Sequence, residues 1–293
     1  MAEQEGGHAR TTERPPAAGG TALLIIDMFN TLDFEGGEEM VAAAKKLTTD
    51  GTYGMSLAGG SYTENNHFAF INASQNGSEL FTPDGKPDFT NDGVVKGIKR
   101  YIDLMQTDKV VNSSNAQYEN ATRSVTDFAN KKAAMIINQN NANATIESNG
   151  MKSGEYGVVP FPAPAGSPTQ VASHVAGINM AIMKSTEYKD QALKLVNFMT
   201  SGPTQEKLGK PFSSLPVLKD AKATFTTDAE QLKVFTDVYN NRSKPLPLVP
   251  VEDQFESTVG QAMNAMFATI ATGGTVSEDD IRSAMQAAQE SIR

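Results

Sequence analysis

The chain has 293 residues, with 25 Lys+Arg against 34 Asp+Glu, a formal charge of -9 and no Cys. This length holds one large or two ordinary domains around a core that needs no disulfide or metal staple. Without Cys there is no thiolate metal site and no cysteine nucleophile, and the acidic balance gives no global attraction to nucleic acid or anionic membrane.

Residues 1–20, polar and ending in Pro15-Pro-Ala-Ala-Gly-Gly20, read as a disordered leader. Their arginines, Arg10 and Arg14, are well separated from the next apolar run, so they do not form a secretory signal. Thr21–Ile26 reads as a short buried strand, interrupted by Asp27 long before the ~20 apolar residues of a membrane span. Phe34-Glu-Gly-Gly37 is a turn and Glu38–Leu47 an Ala-rich helix. Gly51–Gly60 is a strand and turn, and His67–Gln75 a helix stopped by Asn76-Gly77. Asp92 is placed to cap a helix whose Val95, Ile98, Ile102 and Met105 follow helical spacing. Val125–Lys132 is a further helix, Ala133–Ile137 and Tyr156–Val159 are strands, and a loop with four prolines covers 160–169. Asn179–Met183 is expected as a strand. Asp190–Thr200 is expected as a helix with Ala192, Leu195, Val196 and Met199 on one face, ended by Gly202-Pro203. Pro245–Pro250 is an extended connector. A helix marked by Val259, Met263, Met266, Phe267 and Ile270 ends at Gly273-Gly274. Ser277 with Asp280 starts the last helix, whose apolar face is Ile281, Met285, Ala288 and Ile292. The alternation of strands and helices gives an α/β class.

Chemistry-bearing motifs are absent: no glycine-rich nucleotide loop, no Walker A, no H-E-x-x-H, no nucleophile elbow and no calcium loop. His8, His67 and His174 do not make a histidine zinc site. Unpaired carboxylates read as solvated surface. No catalytic residue, metal site or cofactor is expected, and the chain is not read as an enzyme.

Over about residues 38–293 the sequence resembles a family 1 extracellular solute-binding protein, the carbohydrate-binding subunit of an ABC importer. The resemblance rests on Met40-Val-Ala-Ala-Ala-Lys-Lys-Leu47 with Tyr53-Gly54, on Phe70-Ile-Asn-Ala-Ser-Gln-Asn-Gly-Ser-Glu-Leu-Phe81, and on Phe128-Ala-Asn-Lys-Lys-Ala-Ala-Met-Ile-Ile137. It continues through Gly157-Val-Val-Pro-Phe-Pro162, Ala176-Gly-Ile-Asn-Met-Ala-Ile182, Ala192–Ser201, Ser214-Leu-Pro216 and Ala271-Thr-Gly-Gly274, all in family order. A shorter stretch, 21–38, resembles the opening of an isochorismatase-like cysteine hydrolase. Asp27 would be its acidic triad member, but the thiolate that chemistry needs is missing. The alternative reading is therefore an inactive hydrolase remnant, and a strand-end carboxylate capping a turn is the plainer account of Asp27.

The larger resemblance implies a two-lobe periplasmic-binding-protein-like fold of type II with an incomplete first lobe. The second lobe would comprise 38–174 plus 245–293, and 175–244 would be the remnant of the first. Thr21–Ile26 would fill a vacant place on the first-lobe sheet, whose edge and apolar surface would otherwise be exposed. The implied function is to bind a carbohydrate or similar polar solute between the lobes, without chemical change, as a monomer, for a membrane permease and with no nucleic acid. The family works outside the cell or in the periplasm, associated with the membrane. As written, the chain shows no signal peptide or lipobox Cys and would stay in the cytoplasm.

Sugar sites stack aromatic faces on C–H-rich sugar faces and hydrogen-bond the hydroxyls. With no Trp here, the cleft candidates are Tyr62, His67, Phe68, Asn141, Asn143 and Asn179. Phe68 suits core packing or stacking, His67 a local hydrogen bond or the ligand, and the amides suit sugar hydroxyls or a plain polar loop. Where relatives carry further aromatics, this chain has about Asn141 and Phe255.

Overall fold

A computed structural model describes residues 36–292 and the backbone of residues 21–25. The leader expected over 1–20, Asp27 and the first half of the Phe34–Gly37 turn lie outside the described residues.

Chain order runs β1 (Thr21–Ile25), α1 (Gly37–Leu47), β2 (Tyr53–Ser56), α2 (Tyr62–Gln75), α3 (Asp92–Gln106), α4 (Ala121–Ala129), β3 (Ala133–Gln139), α5 (Ala142–Ser148), β4 (Gly157–Pro160) and β5 (Ser173–His174). It continues with α6 (Lys189–Met199), α7 (Gly202–Phe212), α8 (Ala229–Asn241), β6 (Ser243–Lys244), α9 (Glu252–Ala271) and α10 (Glu278–Ser291). Short 3-10 turns occupy Ser113–Gln117 and Ser153–Glu155.

Four strands form a sheet in the order β2-β3-β1-β4. β2 and β3 are parallel, with Met55 opposite Met135, and β1 runs antiparallel to both β3 and β4, with Leu23 opposite Ile137 and Val159. The period-two alternation of a strand sends successive residues of β3 to opposite faces. Met135 and Ile137 join the larger core, with Met40 and Ala44 of α1, Phe68 and Ile71 of α2, Ile98 and Ile102 of α3, Met263 and Phe267 of α9, and Ile281 and Met285 of α10. Ile136 faces the other way, into a second core with Val125 and Phe128 of α4, Ile146 of α5, Val158 of β4 and Phe235 of α8. A strand covered on both faces reads as a continuous apolar run, which is what Ala133–Ile137 supplies.

Strand β1 corrects one expectation. It fills no place on a first-lobe sheet. Instead it is the third strand of the sheet built by β2, β3 and β4, hydrogen-bonded on both sides.

Local sequence accounts for the helix boundaries. Ser61 Oγ accepts from Glu64 N, starting α2 five residues before the expected His67. Asn91, one residue before the expected Asp92, is the cap of α3, accepting from Val94 N at 3.0 Å. Ser277 and Asp280 form the expected capping box of α10. Helices α5, α7 and α8 were not anticipated. Gly202-Pro203 does follow the end of α6, but Pro in the first turn, whose N–H groups have no intrahelical partner anyway, opens α7. α8 starts where Asp228 accepts from the amides of Glu230 and Gln231, and its Phe235 and Val238 are buried against the sheet layers.

The stretch 175–244 divides in two. Leu215, Ala223, Phe225 and Phe235 belong to the second core. By contrast Asn179–Met183, expected as a strand, has no regular structure, and among the described residues no strand pairs with it. Ile178 is 86% exposed, and no residue of α6 is buried, so Leu195 of its expected apolar face lies open, as does Phe198. β5, where the chain leaves the main body, pairs in parallel with β6, which directly follows α8. Among the described residues no helix is long and apolar enough to cross a membrane.

Candidate functional site

In an open α/β sheet, ligands favour the crevice beyond the carboxyl ends of parallel strands. Here those ends are the loop 57–61 after β2 and the run Asn138–Asn141 at the end of β3, with the N-termini of α2 and α4 beside them.

The 57–61 loop is held by a buried polar network. Asn115 Oδ1 accepts from Leu57 N at 2.9 Å and from Ser56 Oγ at 3.0 Å, and Asn115 O accepts from Gly59 N at 3.0 Å. Gly60 N donates to Tyr118 O at 3.1 Å, an approach that glycine permits because a Cβ at Gly60 would sit 2.8 Å from Ala116 O. Tyr118 in turn donates its hydroxyl to Asp127 at 2.8 Å. The loop therefore delivers α2 in a fixed position. On the far side of α2, Gly260 of α9 lies so close that an added Cβ would be 2.0 Å from Tyr62 O.

Between these elements lies a small cavity of about 10 Å³, room for one water at most. Its wall includes Glu64 and Phe68 of α2, Tyr101 of α3, Ser124 of α4 and Asn138 of β3. The Tyr101 hydroxyl is buried without a partner, and burial together with the nearby Glu64 raises its pKa well above the ordinary phenol value. Burial also raises the Glu64 carboxyl above its ordinary pKa, with His67 opposing the shift. Asn138 Oδ1 accepts from Gln139 N at 2.8 Å. The result is a shallow polar floor with a carboxyl group, a phenol and a carboxamide, and an open side.

The expected site residues distribute unevenly. Tyr62 stands on the first turn of α2, 47% exposed, and does not line the cavity. Phe68 is a core residue, stacked on Tyr101 with ring centroids 4.5 Å apart, and only its edge reaches the cavity. Asn141 is exposed on the turn after β3. Asn143 is buried, donating to Gln231 Oε1 at 3.3 Å, and so is a scaffold group under α5. Asn179 is exposed in the irregular stretch beyond β5 and is not brought to the other residues. Phe255 is fully buried, edge-on to Phe81 at 5.4 Å, and presents no stacking platform. Sequence reasoning missed Glu64, Tyr101 and Asn138. Glu64 was legible as the third residue after a Ser cap, whereas Tyr101 comes from an interior helix face.

His67 occupies a neighbouring position. Its ring stacks on His174 of β5, with centroids 3.9 Å apart and planes at 24°. Its Nε2 lies 3.6 Å from Glu256 of α9, whose carboxyl group shares a hydrogen bond with Glu252 one turn earlier. The interaction with His67 lowers the Glu256 pKa, and burial with the adjacent Glu256 raises that of Glu252. Gln139 meets His174 Nε2 at 3.2 Å, and His174 Nδ1 is buried without a partner. Burial, assisted by repulsion from His67, lowers the His174 pKa to about 3. No group of three or more His, Asp or Glu among the described residues is placed to hold a metal ion.

The family model for bacterial extracellular solute-binding proteins matches residues 17–206, a span that includes the 21–38 stretch. Among solved structures, three similar ones are a solute-binding protein of an ABC transporter from Thermotoga lettingae bound with α-D-tagatose, the maltose-bound MalE3 of T. maritima and the maltotriose-binding protein of Thermus thermophilus bound with maltotriose. Their TM-scores are 0.73, 0.72 and 0.70 at 22%, 22% and 21% identity. Each match covers 94% of this chain, and it covers 71%, 72% and 71% of the respective neighbour. Comparison with curated proteins gives no match.

Proposed function

From the premise that this chain belongs to the bacterial extracellular solute-binding protein family, we propose that it is a substrate-binding component of an ABC importer that holds a carbohydrate or polyol without altering it. The observation that carries the proposal is the small polar cavity at the carboxyl ends of β2 and β3, lined by Glu64, by Asn138 and by Tyr101, whose buried hydroxyl has no partner among the described residues. A carboxyl group accepts from sugar hydroxyls, a phenol donates to one, and a tyrosine face packs against sugar C–H groups. The bound solutes of the neighbours, which include tagatose, maltose, maltotriose and ribitol, support this chemistry. Nothing in the floor supplies a nucleophile with an adjacent base, so binding is the whole task.

The floor is one wall of a cleft. The exposed stretch 175–212, joined to it through β5, is this chain's portion of the opposite wall. One fact supports that reading: its large apolar residues lie open. The ligand residues are Tyr62, Glu64, Tyr101 and Asn138, with Asn141 at the rim. The partner that receives the solute is a membrane permease, met outside the cytoplasm.

A thermal melt against a panel of mono-, di- and trisaccharides and polyols tests the proposal. A ligand that binds only the folded state contributes about 2.7 kcal/mol at a hundredfold excess over Kd. One class of sugar or polyol should raise the midpoint. A midpoint unmoved by every member would refute the proposal.

A further inference from the structure

The sequence holds two Asn-Gly pairs, Asn76-Gly77 and Asn149-Gly150, and the fold treats them differently. They stand at the ends of α2 and α5, each with its glycine in the left-handed region, at φ 71° and 96°. Asn76 is clamped by a second helix. Its Nδ2 donates to Asn72 O at 3.0 Å and to Gly93 O of α3 at 3.1 Å, and a Cβ added to Gly77 would sit 2.9 Å from Pro168. The bonds of Asn149 stay within its own helix. Asn149 N, Asn149 Nδ2 and the Ser148 hydroxyl all donate to Thr145 O, at 3.1, 2.8 and 2.9 Å, three donors for the two lone pairs of one carbonyl. Asn149 and Gly150 are both exposed, and a Cβ added to Gly150 would meet nothing within 4 Å. Helix α5 has seven residues, too few to be stable by itself, so its last turn opens readily.

We propose that Asn149 is a site of spontaneous covalent modification, deamidation through a cyclic imide with Gly150, and that the fold protects Asn76 from the same reaction. The inference is independent of the solute reading above. When the end of α5 opens, Gly150 N leaves Glu147 O, to which it donates at 3.0 Å, and the Asn149 ψ turns away from 5°. Gly150 N then loses its proton and attacks Asn149 Cγ. The new N–Cγ bond closes a five-membered ring, the Cγ–Nδ2 bond breaks, and the leaving nitrogen takes up protons and departs as ammonia. Water opens the imide at either carbonyl and leaves aspartate or isoaspartate, so one water is consumed, one ammonia is released and nothing is oxidised or reduced. Glycine suits the attack because it has no side chain to crowd the nitrogen. The product is a carboxylate at the C-terminus of α5, where the helix dipole is already negative and Glu147 stands exposed, so the reaction weakens the helix that follows β3. At Asn76 the same ring requires the side chain to leave α3 and Gly77 to move off Pro168, which opens the junction of two core helices.

The test is peptide mapping by mass spectrometry of the full chain, held folded in mildly alkaline buffer and, separately, unfolded in guanidinium chloride. The mass gain of deamidation is followed at each pair over several weeks. Unfolded, the two pairs should react at comparable rates, because each asparagine precedes a glycine. Folded, Asn149 should react at least about tenfold faster than Asn76, the ratio set by the easier local opening of α5. Asn149→Gln, at an exposed position, should remove the early mass gain of the folded chain. Equal rates at the two pairs in the folded chain, a faster reaction at Asn76, or an early gain that survives in Asn149→Gln would overturn the proposal. So would a folded chain in which neither pair reacts while both react in guanidinium chloride.

Discussion

Gly260→Ala sets two effects of opposite sign against each other. Gly260 lies inside α9, where replacing glycine with alanine ordinarily stabilises a helix by about 1 kcal/mol. Here the added Cβ would fall 2.0 Å from Tyr62 O and 2.6 Å from Tyr62 C, both backbone atoms at the start of α2. Reaching ordinary contact requires α2 and α9 to separate by about 1.4 Å at that point. The separation would loosen Phe68, Met263 and Phe267 in the same core. Overpacking of this kind costs roughly 1–3 kcal/mol and occasionally more. The backbone position of the clash puts the cost at or above the top of that range, a net loss of about 2 kcal/mol after the helix gain. For a chain of this size that is a fall of about 3 °C in Tm. Gly202→Ala is the control, since a Cβ there meets nothing within 4 Å. Thermal and urea melts of both variants decide the matter. A Gly260→Ala protein as stable as the parent, or more stable, would refute the packing of α9 on Tyr62.

Acid should destabilise the fold through His174. Its folded pKa of about 3 lies below the ordinary histidine value of 6.5, so the unfolded chain binds the proton more readily. This contribution is complete above pH 6.5 and shrinks as pH falls, by about 2 kcal/mol at pH 5, with losses continuing towards pH 3. Urea melts from pH 7.5 to 5 should show this slope in the parent and a shallower one in His174→Gln; equal slopes would rule it out. Ser277→Ala removes the side chain that caps α10 by accepting from Asp280 N, and should cost about 1 kcal/mol in the same melts. Replacing the open Ile178 and Phe198 with serine should change Tm by less than about 1 kcal/mol in equivalent stability, because neither is buried. The double variant should lower aggregation by light scattering; a large Tm loss would mean that these side chains are covered in solution.

The apolar face of α3 and the start of α10 were legible because periodicity and caps are local, whereas α5 and α8, which help to build the second core, were not. Val95, Ile98 and Ile102 repeat at helical spacing, and Ser277 with Asp280 reads as a start signal from four residues alone. Strand β1 was legible as an element, but its partners were not, since pairing is set by β3 and β4 more than 100 residues away. Asn179–Met183 failed for the converse reason: a strand-like pattern makes no strand without a neighbour. At the site, Tyr62 is exposed, whereas packing buries Asn143 and Phe255, which the family resemblance had drawn to the cleft. Tyr101 could not be found from sequence, because its role depends on an unpartnered hydroxyl in a helix interface.

The most direct test of the account is calorimetric titration of Glu64→Gln beside the parent, using the sugar or polyol that raises the melting temperature most, with the ligand recovered and analysed afterwards. The carboxyl group of Glu64 lines the polar floor, and exchanging a charge-capable acceptor for an amide should weaken binding by about tenfold, the order of one hydrogen bond to a charged group. The recovered ligand should be unchanged. Equal affinities for the two proteins would show that the solute does not rest at the carboxyl ends of β2 and β3. A ligand returned cleaved or modified would show that the chain does more than bind.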